Sequence, residues 1–170
     1  MKKTIIRYGF YGFLTAVVLF LSALVFGQGL SFETQTVLGY VSIVASLSFV
    51  YFGIKHFRDR QNNGVISFGK ALGVGMLITL FAALGFAIID YLYTAYINPD
   101  FIDQYAANSM SNLEKTLSGD DLVKAKEDFT SQMESMGSSS ALAFFMFVIV
   151  TVIGFIISLL SSLFLNKKQS

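Results

Sequence analysis

With 170 residues, 54% of them apolar, 18 Phe and 14% charged, the chain is too apolar for a soluble domain, which would carry about 25% charged residues. No cysteine is present, which excludes disulfides, thiol redox chemistry and thiolate metal sites. The net charge of +1 argues nothing for nucleic acid, because it is the balance of two opposed sets. Nine Lys/Arg against Asp59 leave +8 on one set of segment ends, three Lys against nine Asp/Glu leave −6 on the other, and Asp90 supplies the remaining −1.

The first apolar run, Tyr8 to Phe26, follows Lys2, Lys3 and Arg7. At about 1.5 Å per residue it approaches the roughly 30 Å hydrocarbon core of a bilayer. A cleavable signal peptide is the rival reading, since Val25, Phe26 and Gly27 stand where a peptidase would cut before Gln28. The run is longer than a usual signal core, however, and Tyr8, Phe10, Tyr11 and Phe13 resemble an interfacial anchor. A linker with Gly27, Gln28, Gly29, Ser31 and Glu33 then allows only a tight return.

The second run, Thr36 to Ile54, ends in a basic stop, Lys55 to Arg60, followed by a loop at Gln61-Asn62-Asn63-Gly64 whose residues suit left-handed backbone. Val65 to Lys70 reads as an interfacial lead-in to the third run, Ala71 to about Tyr96. Asn98, Pro99 and Asp100 should end that helix and cap another. Phe101, Tyr105, Leu113 and Leu117, then Leu122, Ala125, Phe129, Met133 and Met136, recur at helical spacing. Ser118 with Asp121 resembles a capping box, with Gly119 at the break, so residues 98–137 predict an amphipathic helical hairpin. Gly137 to Ser140 is the hinge into a fourth run, Ala141 to Leu165, closed by Asn166, Lys167 and Lys168.

Lys and Arg are retained on the cytoplasmic side during insertion, while acidic residues contribute little to orientation. The expected fold is therefore all-α: one membrane domain over 1–170, a four-helix antiparallel bundle with spans at about 8–26, 36–54, 71–96 and 141–165. Both termini would be cytoplasmic and the acidic hairpin extracytoplasmic; were the first run cleaved, the remaining three spans would keep the same orientation.

Asp90 is the one acidic residue at membrane depth and is the candidate functional residue: a proton relay, a cation site or a buried partner for a base. The competing reading is an interfacial carboxylate reaching water among Tyr91, Tyr93 and Tyr96. Small residues at four-residue spacing, Gly69 with Gly73 and Gly154 with Ser158 and Ser162, are candidate helix-packing positions. They would serve packing within the bundle or, on the fourth span, a dimer or partner face. His56 has no second histidine or cysteine to build a metal site and reads as a solvated loop residue. The acidic residues of the hairpin lack the order of a calcium loop.

The stretch from Phe52 to Asp59, then Asn63 to Ala71, resembles the signature of small four-span bacterial inner-membrane proteins catalogued as a domain of unknown function. Met1 to Gly9 and Pro99-Asp100-Phe101 are also similar to that family. The resemblance implies the four-span layout and transfers no catalytic residue. The function expected is that of a non-enzymatic structural or accessory membrane subunit without cofactor or metal. Its partners would be the lipid bilayer and a second copy or another membrane protein, not nucleic acid. The alternative is a small transporter or channel-like oligomer using Asp90.

Overall fold

A computed structural model describes residues 1–27 and 29–167, with backbone alone for Phe32, Ser135 and Met136. The expected places of Gln28 in the first linker and of Lys168 at the basic end, and the side chain of Met136 in the hairpin pattern, lie outside the described residues. The described chain forms six α-helices: α1 (Lys2–Phe26), α2 (Phe32–Gln61), α3 (Phe68–Leu92), α4 (Phe101–Thr116), α5 (Gly119–Met136) and α6 (Ser139–Leu165). A π-helical turn, Tyr93–Ile97, continues α3.

The helices outrun the apolar runs that predict them. α2 starts at Phe32 because the Ser31 hydroxyl accepts the Thr34 N–H at 3.3 Å, closing an N-terminal donor. It then continues through Lys55 to Arg60, since Lys and Arg keep high helix propensity and their charge suits the negative C-terminal end. The basic stop is thus helix, and His56 lies on it rather than in a loop, its ring 5.4 Å from that of Tyr8. The loop behaves as expected: Asn63 and Gly64 both take positive φ, 52° and 78°. The lead-in is shorter than the predicted Val65 to Lys70, for α3 already begins at Phe68 after Ser67 in extended backbone.

Two predicted caps are not made by side chains. Ser118 precedes α5 in extended conformation without a capping hydrogen bond. Asn98 turns its amide towards Tyr93 and Gln104 instead of the N-terminus of α4. Ser138 does cap α6, accepting from Ala141 N–H at 3.2 Å.

Four helical stretches, Lys2–Phe26, Glu33–Gln61, Phe68–Ile97 and Ser139–Leu165, are long and apolar enough to cross a membrane. They pack together, α3 touching α1, α2 and α6. The shared core holds Leu47, Val50, Ile54, Ile78, Phe86 and Val150. Large apolar side chains elsewhere on the same helices, among them Val18, Val44, Leu84, Val152 and Phe164, face outward. In water such a surface invites association; against hydrocarbon it is matched to its solvent.

Close approach of the helices depends on small residues. A Cβ built on Gly154 of α6 would overlap the Thr79 side chain of α3, and one on Gly75 of α3 would lie 2.8 Å from Ser158 Oγ of α6. Gly154, Ser158 and Ser162 are therefore buried inside the chain, which removes this ridge from the surface a partner would use. Gly69 and Gly73 take no part in this packing. Both are exposed, and a Cβ added to either meets nothing within 4 Å, because their register turns them away from α6 while Gly75 faces it. Some of the buried hydroxyls bond to their own helix, Ser162 Oγ donating to Ser158 O at 2.6 Å and Ser46 Oγ to Ser42 O at 2.7 Å, while Thr79 Oγ1 and Ser158 Oγ meet across α3 and α6 at 3.4 Å.

One end of this assembly is tied by the segment before α3. Ile66 and Lys167 exchange two backbone hydrogen bonds of 3.0 Å each, joining the α2–α3 loop to the chain after α6. Arg58 reaches the Leu165 carbonyl at 3.4 Å, and Lys70 Nζ lies 5.4 Å from the centre of the Phe57 ring. The α1–α2 linker, the π-helical turn and α4 gather at the other end.

Candidate functional site

Asp90 occupies the last turn of α3, one turn before the π-helical segment. It is 7% exposed, so the reading of a carboxylate reaching water among tyrosines does not describe it. No ion pair to its carboxylate occurs among the described residues. Thr94 Oγ1 donates to the Asp90 carbonyl at 2.9 Å, and Asn98 N–H donates to the Tyr93 carbonyl at 2.8 Å, five residues back. That wider turn is a known device for redirecting side chains near the end of a helix.

Its effect is on the tyrosines. Tyr93, 2% exposed, turns inward with its hydroxyl 3.4 Å from the Leu24 carbonyl of α1, whereas Tyr96, 71% exposed, points outward. Tyr91 meets Tyr96 edge to face at 6.3 Å. Tyr91 and Tyr96 are thus exposed, whereas Tyr93 is buried and does not fit the expected outward-facing cluster of three.

Beyond the turn lies a cleft of about 580 Å³ between the α1–α2 linker and α4. Ser31, Gln35, Asn98, Gln104 and Asn108 supply its polar lining, and Tyr93, Phe101 and Tyr105 its aromatic lining. Among the described residues no charged side chain lines it, and Asp90 stands behind Tyr93 in sequence without reaching it. Phe101 bridges the aromatic set, edge-on to Tyr93 at 5.6 Å and nearly parallel to Tyr105 at 6.5 Å. Asn98 Nδ2 contacts Tyr93 Oη at 3.5 Å and Gln104 Oε1 at 3.3 Å, holding the turn against the first helical turn of α4.

Sequence reasoning does not find this cleft. Gln104 and Asn108 are one helical turn apart on α4, but Gln35 lies some seventy residues earlier and none of the three belongs to a motif; the nearest signal is the Asn98-Pro99-Asp100 break, which marks where the chain changes direction.

α4 and α5 carry most of the acidic residues. Tyr105 meets Phe129 at 6.4 Å between them, and Lys126 Nζ lies 2.6 Å from Glu114 Oε1. The ammonium beside Glu114 holds that carboxyl below its ordinary range. Among the described residues no group of three His, Cys, Asp or Glu could hold a metal ion.

These features define a helical protein with four helices apolar enough to span a membrane, consistent with a membrane protein. The family model described as a protein of unknown function, DUF4199, matches residues 7–167, and the chain belongs to that family. No curated protein and no solved structure matches it.

Proposed function

We propose that the chain is a multi-pass protein of the bacterial inner membrane, an antiparallel four-helix bundle with both termini cytoplasmic. It serves as a non-enzymatic structural or accessory subunit whose extracytoplasmic helical hairpin, α4 and α5, is the surface offered to a partner. The observation that carries this reading is the thinness of that hairpin's own packing: α4 has no buried residue, while Val123 and Leu117 stand exposed beside charged neighbours. Isolated helix pairs of this kind are marginal in water, and a bound partner supplies the missing burial. The sidedness follows from Lys2, Lys3, Arg7, Lys55, Arg58, Arg60, Lys70 and Lys167 on one set of ends.

Two measurements test it. A phosphatase reporter inserted between Leu117 and Gly119 should be active outside the cytoplasm; activity of a cytoplasmic reporter there overturns the orientation. Purification in mild detergent from native membranes should yield a stoichiometric partner, lost with Val123→Glu. A lone monomer in repeated preparations contradicts the accessory role.

The burial of Asp90 without an ionic partner favours a second reading, a small transporter or channel-like oligomer in which this carboxylate takes up and releases a proton or cation. Reconstituted vesicles decide it: Asp90→Asn should abolish proton-coupled flux, and unchanged flux removes the carboxylate from any transport role.

A further inference from the structure

The cleft at the α4 end has a lining that selects a ligand class. We propose that it binds a small, neutral, hydroxyl-rich molecule, a saccharide unit, held by the amides of Gln35, Gln104 and Asn108 and by the rings of Phe101 and Tyr105. Its volume of about 580 Å³ lies within the range of small-molecule sites. The described lining carries no charge and so disfavours ions, which would lose hydration without gaining a counter-charge.

The polar groups are half used. Gln35 Nε2 donates to the Leu30 carbonyl at 3.0 Å, leaving its amide oxygen, and Asn98 spends its amide nitrogen on Tyr93 and Gln104, leaving Oδ1. Gln104 Nε2 and both ends of the Asn108 amide have no protein partner among the described residues. The lining therefore offers both acceptors and donors that no protein group uses among the described residues. Hydroxyls, which donate and accept at once, satisfy both kinds, whereas a hydrocarbon chain would satisfy neither. Phe101 and Tyr105, 25° from parallel, add aromatic surface whose negative faces suit the weakly positive C–H face of a sugar ring.

The assignment is independent of the accessory-subunit reading, since a monomer would bind equally well. The full chain in phosphatidylcholine nanodiscs is titrated with glucose and with cellobiose by saturation-transfer difference NMR, with acetate and a blocked neutral tetra-alanine peptide as comparisons. A saturable sugar signal is expected, weakened about fivefold, the worth of one neutral hydrogen bond, in Asn108→Leu and in Gln35→Leu. Thr130→Val, on another face of the hairpin, should bind as the parent does. Nanodiscs containing a glucosyl diacylglycerol separate the sources: suppression of the sugar signal supports the site as one for a lipid headgroup, and an unchanged signal supports a free sugar. No saturable signal from either sugar, parental affinity in both Leu variants, or tighter binding of acetate or the peptide overturns the proposal.

Discussion

Thr79 on α3 and Gly154 on α6 face each other so closely that a methyl in place of the glycine hydrogen would overlap the threonine side chain. Rotation of Thr79 cannot relieve this, because its own Cβ lies 3.0 Å from the added carbon. Ala gains about 1 kcal/mol over Gly in helix propensity, while overpacking a tight interface costs about 1–3 kcal/mol. Gly154→Ala should therefore lower the midpoint of thermal unfolding in detergent, and Thr79→Ala in the same chain should restore part of it. An unchanged midpoint for the single variant would show that the helices separate without cost.

Gly69 and Gly73 give the opposite expectation. Space is open at both, so Gly69→Leu and Gly73→Leu should fold with stability within about 0.5 kcal/mol of the parent, helped by helix propensity. Detergent-solubilised yield and unfolding midpoint check this. A marked loss in either would reveal a contact made outside the single chain.

Ile66, 1% exposed, anchors the segment that joins the α2–α3 loop to Lys167. Ile66→Ala removes buried methyl groups at a site where two backbone hydrogen bonds also meet, and should cost about 2–4 kcal/mol. Amide exchange at Ile66 and Lys167 should quicken along with it. Slow exchange retained in the variant would mean that the backbone pairing holds without the side chain.

The Glu114–Lys126 pair predicts a pH response in α4 and α5. A carboxylate whose folded pKa is lowered adds stability that is present above its unfolded pKa and is lost as pH falls through the lowered folded value. Side-chain NMR titration should place Glu114 below an ordinary glutamate, and Lys126→Ala should return it to the ordinary range. Both side chains are substantially exposed, so high salt should weaken the shift.

Thr4 Oγ1 is buried on α1 without a hydrogen-bond partner among the described residues. Replacing an orphaned hydroxyl by a methyl of the same shape removes a desolvation penalty of about 1 kcal/mol or more. Thr4→Val should raise the unfolding midpoint, and a lowered midpoint would place an unseen partner at this hydroxyl.

What the sequence by itself determined is one-dimensional: the existence of the helices, the left-handed turn at Asn63 and Gly64, and the break at Asn98 to Asp100 all depend on neighbours a few positions away. Apolar runs mark a bilayer-length helix poorly at its ends, which is why α2 continues past the apolar run through the basic stop to Gln61, where the sequence reading begins the loop. The tertiary structure alone decided which small residues touch. Gly73 and Gly75 are two positions apart on one helix, yet a rotation of about 200° puts the first outside and the second against Ser158. It also decided the cleft, for Gln35 on α2 and Asn108 on α4 come together through the packing of α1, α3 and the π-helical turn between them. No local pattern records that meeting, because polar amides obey no periodicity until the chain has folded around them.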